Sequence, residues 1–335
     1  MTRVLIAGGY GVVGSWIARE LKAAHPALEL MIGGRSPENG AALAAELGAT
    51  TARLDVSDPA AGLSQAGPLD LVIASLQDPA DKLALAALKH GAAYTTIVRP
   101  PQTMSALVIA AELTQRAALV LGHWQAGAMS LAALSATRAF GAVERVEFGA
   151  LYDQADPAGP MATADSGTFF ENGALIRRAG EWVRVNPTAD ARTVSRGGGA
   201  PHFNARPMTV LDCPGLTAAT SAAEVRFDLG VGRSLGTLAG SGASHEIYID
   251  LWGRGAAGET KASRTVLSDP RGQAHLTASG VLIGVERLLG LDGKPPLRPG
   301  VAFPEAVIDA EAAVHRLLEL GVNIQTVSSD PVASD

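Results

Sequence analysis

Near its start the chain reads Arg3-Val4-Leu5-Ile6-Ala7-Gly8-Gly9-Tyr10-Gly11-Val12-Val13-Gly14, and this run predicts more than any other part of the 335 residues. A short apolar strand is followed by glycines spaced G-x-G-x-x-G and then by the apolar periodicity of a helix. Glycines in these places allow a tight turn, a close approach of the backbone to a diphosphate, and close packing of helix on strand. The free N–H groups at the helix start then attract phosphate. We therefore predict a dinucleotide site.

Predicted strands and helices alternate from the first residues to Gly127. The six strands are Arg3–Ala7, Leu28–Ile32, Thr51–Leu54, Leu69–Ala74, Tyr94–Val98 and Ala117–Leu121. This alternation predicts an α/β fold with a Rossmann-type, doubly wound parallel sheet. Ligands of such sheets bind beyond the carboxyl ends of the strands. The predicted cofactor-binding residues are Gly8, Gly9, Tyr10, Gly11, Val12, Val13, Gly14, Gly34, Arg35, Ser36, Asp55, Val56, Ser75 and Leu76.

The pattern changes after Gly127, where strands with alternating apolar and polar residues predominate. Such alternation predicts a half-buried antiparallel sheet. We expect a dinucleotide-binding domain over 1–127, completed by 300–327, and an inserted α+β substrate or dimerisation domain over 128–299. Four further elements are predicted there and beyond: a helix at Thr168–Ala179, a strand at Gln273–Ser279, and helices at Val281–Leu289 and Glu305–Leu320.

The residues after the second strand favour NADP(H) over NAD(H). An NAD site has Asp or Glu about 20 residues past the glycines, to bind the ribose 2′-hydroxyl. Here Arg35 holds that place, with Ser36 beside it. A guanidinium pairs well with a 2′-phosphate. The alternative is that Arg35 is an exposed loop residue and Ser36 only caps a helix. Asp55 and Val56 are expected at the adenine edge, unless Asp55 only caps a turn.

Three residues are candidates for the chemical step. His123 follows the sixth strand, where an imidazole is suited to protonate the atom left electron-rich by hydride transfer. Arg99 follows the fifth strand and is a candidate anchor for a substrate carboxylate. Tyr152 ends the strand that enters the second domain. The alternatives are a structural His123 hydrogen-bonded at a domain junction and an Arg99 engaged in an ion pair between domains.

Composition excludes several classes of protein. The net charge of −6 offers no footprint for nucleic acid, and a single cysteine, Cys213, excludes an internal disulfide. We expect Cys213 to be a structural thiol at the end of a strand, and no metal site, because the histidines are scattered. None of the four tyrosines is followed four residues later by lysine, which excludes the classical short-chain dehydrogenases. Without a signal peptide or membrane span, a cytoplasmic protein is expected.

The chain resembles the saccharopine dehydrogenase-like reductases. The similarity lies in the opening glycine motif, Gly34-Arg35-Ser36, Asp55-Val56-Ser57-Asp58, Asp165-Ser166-Gly167-Thr168, and Pro299-Gly300-Val301-x-x-Pro304-Glu305. The resemblance implies NAD(P)H-dependent reduction of an imine or related C=N or C=C bond in a small molecule, by a homodimer. The alternatives are a carbonyl reductase and a non-catalytic NADP(H) sensor. No lysine ends a strand of the first domain, which argues against saccharopine as substrate.

Overall fold

The computed structural model describes residues 1–99, 103–159, 170 and 173–328. Within them the chain forms two compact units. Unit 1 comprises Met1–Ala126 and Thr277–Ile308, and unit 2 comprises Gly127–Leu276 and Asp309–Asp335. Residues 277–299 thus lie in unit 1 and residues after 308 in unit 2, a division that differs from the predicted bounds of 1–127 with 300–327 and 128–299.

Unit 1 is built on a parallel sheet of seven strands, in the order β15-β6-β5-β4-β1-β2-β3. The strands are β1 (Arg3–Ala7), β2 (Glu29–Gly34), β3 (Thr50–Arg53), β4 (Leu71–Ala74), β5 (Ala93–Thr96), β6 (Ala117–Val120) and β15 (Gly300–Ala302). Strands β4 and β6 are apolar and fully buried, and β1 is so from Val4 to Ala7, as parallel strands covered on both faces must be. The predicted Rossmann-type sheet is confirmed, and β15 adds a seventh strand to the predicted six.

Short helices connect these strands. They are α1 (Val12–Ala24), α2 (Ala41–Leu47), α3 (Pro59–Ala66), α4 (Lys82–His90) and α5 (Met104–Thr114), with 3₁₀ turns at Pro37–Gly40 and Trp124–Gly127 and a short α10 (Pro304–Val307). Helix α1 buries one face through Ile17, Ala18 and Leu21, which are 0% exposed. This face packs on the sheet because apolar residues recur at helical spacing. The order of elements brings all the strand ends of the predicted cofactor site to one edge.

Unit 2 is built on a mixed sheet of nine strands. They are β7 (Ala142–Tyr152), β8 (Ala174–Arg178), β9 (Glu181–Val185), β10 (Arg192–Val194), β11 (Phe203–Pro207), β12 (Glu224–Val231), β13 (His245–Arg254), β14 (Thr260–Asp269) and β16 (Asn323–Ser328). The helices are α6 (Ala128–Thr137), α7 (Asp212–Thr220), α8 (Leu235–Ala239) and α11 (Ala310–Glu319). The predicted sheet is present, but β7 and β12 pair in parallel, so it is not wholly antiparallel.

Three predicted elements and the placement of Cys213 were wrong. Gln273–Ser279 is not a strand, because α9 runs unbroken over Gln273–Leu289. Its small and apolar residues fit a fully buried helix as well as a strand, and periodicity alone does not separate the two. The helix predicted at Glu305–Leu320 is divided into α10 and α11 by Ile308, which has extended backbone. Ala174–Arg178, placed in a helix by prediction, is a strand. Cys213 is buried in α7, not at a strand end.

Candidate dinucleotide-binding site

The loop after β1 leaves no room for side chains at its glycines. Gly8 has a φ of +80°, and its amide donates to the Gly33 carbonyl at 2.9 Å. A Cβ at Gly14 would lie 2.2 Å from the Gly8 carbonyl oxygen and 2.8 Å from the Gly9 Cα. Because real Cβ atoms do not approach backbone so closely, α1 packs on this loop only with glycine at position 14.

Helix α1 offers its first-turn amides to a ligand. Its N-cap, Gly11, has extended backbone and contributes no capping side chain. The first intrahelical bond runs from the Ser15 amide to the Gly11 carbonyl at 2.9 Å. The amides of Val12, Val13 and Gly14 therefore precede the intrahelical ladder. The helix dipole makes this end electropositive, which suits a phosphate.

Tyr10 lies against the end of β2. A Cβ at Gly34 would be 2.3 Å from its Cε1 and 2.5 Å from its Oη. The Tyr10 hydroxyl accepts a hydrogen bond from the Ser36 amide at 3.2 Å. Ser36 stands at the N-cap of the Pro37–Gly40 turn but makes no capping bond with its side chain. The capping role considered for Ser36 is therefore wrong, and its backbone is held by Tyr10 instead.

Arg35 is exposed at the carboxyl end of β2. Asp55, after β3, accepts hydrogen bonds from Ser57 N at 2.9 Å and Ser57 Oγ at 2.8 Å. These bonds lower the pKa of Asp55, and the charges of Arg35 and Arg53 lower it further. Two guanidinium groups and one carboxylate thus share this edge. Arg53 was not predicted as a site residue, because it was counted as an interior residue of the third strand.

Ser75 and Leu76, which follow β4, border the glycine loop. The Ser75 hydroxyl donates to the Ala7 carbonyl at 2.8 Å. A Cβ at Gly8 would meet Ser75 O and Oγ at 3.0 Å and the Leu76 Cβ at 3.4 Å. The structure therefore brings these two predicted residues against the loop, and glycine at position 8 makes their close approach possible.

The glycine loop, the first-turn amides and the arginines together form a site whose shape and charge suit a dinucleotide. The backbone of Gly11, which has no Cβ, is where a diphosphate would approach the loop. The cationic edge at Arg35 and Arg53 is where the adenosine ribose would lie in a Rossmann fold. The residues present therefore fit the diphosphate and adenosine parts of a nicotinamide dinucleotide.

His123, just after β6, lies in a buried pair with Glu305. Its Nε2 is 2.8 Å from Glu305 Oε1, and the two side chains are 1% and 9% exposed. The Phe303 ring lies edge-on to the imidazole, with 6.2 Å between ring centroids. The sequence places Glu305 in a motif and at the start of a predicted helix. Its pairing with His123 was missed because distant parts of the chain supply the two residues.

The backbone after His123 forms an unusual turn. Gln125 and Ala126 have φ of 51° and 54°, and Gly127 has φ of 92°. Left-handed backbone is costly for residues other than glycine. Within unit 1, α9 packs against this turn, because a Cβ at Gly280 would lie 2.5 Å from the Gln125 carbonyl oxygen. Strained segments of this kind persist only where surrounding contacts hold them, and they often occur at functional sites.

Arg99, the predicted carboxylate anchor, is buried in unit 1. Its Nη1 lies 2.5 Å from Asp81 Oδ1, and its Nη2 donates to the Thr103 carbonyl. The ion pair is therefore formed within unit 1, not between domains as the alternative held. Both terminal nitrogens are engaged, so the structure gives more support to a structural role than to substrate binding.

Tyr152 belongs to unit 2, at the end of β7. Its carbonyl accepts a hydrogen bond from the Gly232 amide at 3.0 Å, and its side chain is partly buried. His123 and Arg99 are in unit 1, so each unit supplies part of the predicted set. The motif Asp165–Thr168 and the N-terminal half of the helix predicted at Thr168–Ala179 fall largely outside the described residues.

The described residues offer neither a metal-binding cluster nor a membrane-spanning helix. They contain no group of three or more His, Cys, Asp or Glu side chains placed to hold a metal ion. None of the helices in the described ranges has both the length and the apolar character needed to span a bilayer. The site therefore rests on backbone amides, arginines and the His123–Glu305 pair.

Comparison with known proteins supports this interpretation. Residues 4–129 match the family described as the saccharopine dehydrogenase NADP-binding domain. No curated protein matches the chain in sequence. Among solved structures, the apo histidine-tagged saccharopine dehydrogenase (L-Glu forming) from Saccharomyces cerevisiae is 14% identical, with a TM-score of 0.75 over 98% of this chain and 100% of that one. GenD2 from gentamicin A biosynthesis, in complex with NAD, is 14% identical, with a TM-score of 0.50 over 98% and 96%.

At these identities the structural matches show a shared fold. The family match is to a dinucleotide-binding domain and covers residues 4–129. The predicted resemblance to the saccharopine dehydrogenases is thereby confirmed.

Proposed function

We propose that this saccharopine dehydrogenase-like chain is an NADP(H)-dependent oxidoreductase that reduces a carbon–nitrogen or activated carbon–carbon double bond of a small molecule. The observation that carries the proposal is the position of Arg35 beside a glycine loop built for a diphosphate. The family description names NADP, whereas GenD2 was solved with NAD. The preference for NADP(H) therefore rests on the residues of this chain.

The charge at the end of β2 supports NADP(H). Gly33, Gly34, Arg35 and Ser36 supply no carboxylate there, whereas a site for NAD uses one to bind the ribose 2′-hydroxyl. Asp55 is an acidic residue near this edge, and its Oδ1 accepts hydrogen bonds from Ser57. Arg35 and Arg53 together outnumber that carboxylate. A 2′-phosphate would lie next to the Arg35 guanidinium, which favours NADPH binding.

Reduction also needs a proton, and we propose His123 as its donor. When bound, the reduced dinucleotide supplies the hydride to the carbon of the double bond. The other atom of that bond takes the proton. We assign to Glu305, whose Oε1 lies 2.8 Å from Nε2, the role of orienting the imidazole. Because the pair is buried, bulk water does not reach the proton before the substrate binds. Tyr152 of unit 2 is the second candidate donor.

Binding and turnover test the proposal separately. Calorimetric titration of the full chain with NADPH and with NADH is expected to show at least tenfold tighter binding of NADPH. Oxidation of NADPH is then followed at 340 nm with a panel of cyclic imines, enones and ketones, about ten of each. Turnover of imines or enones supports the proposal. Equal affinity for both dinucleotides contradicts the cofactor assignment, ketone turnover alone favours a carbonyl reductase, and binding without turnover favours an NADP(H) sensor.

A further inference from the structure

We propose that Tyr10 is a positioning residue that fixes the turn Gly34–Arg35–Ser36 and thereby sets the discrimination between NADPH and NADH. The inference rests on the proposed cofactor preference and extends it to a residue that need not touch the 2′-phosphate. Tyr10 stands between two glycines of the diphosphate loop, yet its side chain reaches the end of β2. One side chain therefore joins the two parts of the dinucleotide site.

The Tyr10 ring occupies the space over two glycines. A Cβ at Gly34 would be 2.3 to 2.5 Å from three atoms of the phenol, and a Cβ at Gly40 would be 3.3 Å from Cδ1. Neither Gly34 nor Gly40 has a positive φ, so their backbone does not demand glycine. The requirement for glycine at position 34 comes from the ring of Tyr10 itself.

The backbone on both sides of Arg35 is held in place. On one side, the Gly34 carbonyl accepts a hydrogen bond from the Leu54 amide at 2.9 Å, which ties it to β3. On the other, the Ser36 amide donates to the Tyr10 hydroxyl at 3.2 Å. The Arg35 side chain is exposed and has little packing of its own. Its direction is therefore set by the backbone at position 35, and Tyr10 supplies one of the two anchors.

This arrangement predicts a selective effect on the dinucleotide with a 2′-phosphate. An exposed arginine loses side-chain entropy when it pairs with a ligand, and a fixed backbone reduces that loss. Without the Tyr10 hydroxyl, the Ser36 amide loses its partner and the Arg35 backbone samples more conformations. Binding of NADPH weakens in consequence. Binding of NADH changes little, because NADH has an uncharged 2′-hydroxyl where NADPH has the phosphate that pairs with Arg35.

The first test uses Tyr10→Phe, which keeps the ring over Gly34 and removes only the hydroxyl. We expect its Kd for NADPH to rise about three- to tenfold and its Kd for NADH to stay within about twofold of wild type. Tyr94→Phe is the matched control, because Tyr94 lies in the buried core of β5 and its loss of a hydroxyl should leave the ratio of the two constants unchanged. Thermal melting confirms that each variant folds.

The second test is a double-mutant cycle with Gly34→Ala. Alanine at position 34 collides with the Tyr10 ring in the wild-type background, and we expect it to weaken NADPH binding at least tenfold. In the Tyr10→Ala background the ring is absent, and the same substitution should cost less than about twofold. An equal cost of Gly34→Ala in both backgrounds would mean that the ring does not set the turn.

The outcomes separate this inference from the proposed function. If wild type binds NADPH and NADH equally, the cofactor assignment fails and this inference fails with it. If wild type prefers NADPH and Tyr10→Phe keeps the same preference, only the role of Tyr10 is overturned. If Tyr10→Ala does not fold, Tyr10→Phe alone decides.

Discussion

His123 Nε2 and Glu305 Oε1 lie 2.8 Å apart, in a pair almost wholly removed from solvent. The imidazole follows β6, and the carboxylate belongs to the short helix after β15, its neighbour in the sheet. A buried ionisable pair of this kind is costly to build and costly to break. Its position at the carboxyl edge of the sheet is the reason to test it as a source of the substrate proton.

Replacement of His123 separates catalysis from binding. We expect His123→Gln to lower kcat about 10²- to 10⁴-fold, the usual contribution of a general acid, and to leave the Kd for NADPH nearly unchanged. Glu305→Gln keeps a hydrogen-bond partner and should lower kcat about tenfold. Steady-state kinetics from pH 5 to 9 measures both effects.

The control for this pair is Arg138→Gln, an exposed residue of unit 2 that pairs with Asp309 and Glu311. It should change neither kcat nor the pH profile. Full activity of His123→Gln would mean that the pair has a structural role, and Tyr152 would then be the candidate proton donor.

Arg35 is expected to carry the discrimination between the two dinucleotides. Arg35→Ala should weaken NADPH binding by about 1.5–3 kcal/mol, the range for a charge-assisted contact, and leave NADH binding almost unchanged. Fluorescence titration of the bound nicotinamide measures both constants. Arg254→Ala, which removes an exposed arginine paired with Glu144 in unit 2, is the control for loss of one positive charge. Equal losses for both dinucleotides would contradict a 2′-phosphate contact.

Asp55 should oppose the binding of NADPH. Its carboxylate is kept ionised by hydrogen bonds from Ser57 and by the charges of Arg35 and Arg53, so it offsets part of the positive charge at this edge. Asp55→Asn keeps an oxygen acceptor for Ser57, and we expect it to tighten NADPH binding about two- to fivefold at low salt. The gain should shrink above about 0.5 M salt, where screening is strong.

Glu144→Gln removes a distant negative charge and should have no effect. Weaker binding by Asp55→Asn would show that the carboxylate contacts the dinucleotide.

The sequence predicted best those parts of the fold that depend on contacts between residues close together in the chain. The glycine spacing of residues 9–14 is dictated by contacts within a few residues, such as that of Gly14 with the Gly8 carbonyl. The apolar strands of unit 1 are continuous because both faces of a parallel sheet are buried. The position of Arg35 at this edge could be predicted because Arg35 directly follows the end of a strand.

The features that sequence did not predict depend on tertiary contacts. Glu305 meets His123 only because β15 joins the sheet beside β6. Tyr10 reaches Ser36 only once α1 and β2 are in place. Gln273–Ser279 is helical because it belongs to a long buried helix, and small apolar residues in a buried segment lack the polar positions that reveal a period.

Gly14 tests whether the loop geometry is essential. Gly14→Ala places a Cβ 2.2 Å from the Gly8 carbonyl oxygen, so the loop and α1 must separate. We expect binding of both dinucleotides to fall at least 100-fold, because the first-turn amides move with the helix. Gly232→Ala is the control, since its Cβ would meet its nearest neighbour, Leu151 Cδ1, at 3.6 Å, an ordinary contact. Retained affinity in Gly14→Ala would place the dinucleotide elsewhere.

Asp156 of unit 2 predicts a pH dependence of stability. Burial raises its pKa to about 6, although a hydrogen bond from the Gln273 amide at 2.7 Å opposes the rise. The folded state therefore binds a proton more readily than the unfolded state, and stability falls as pH rises from about 4 to about 6. Asp156→Asn keeps the acceptor for Gln273 without the charge. We expect it to stabilise unit 2 by about 1 kcal/mol at pH 8, after allowance for solvent screening, and to have little effect below pH 4.

Urea unfolding at pH 4, 6 and 8 measures the difference, with the exposed Asp58→Asn as control. A variant less stable than wild type at pH 8 would mean that the ionised carboxylate stabilises the N-terminus of α9.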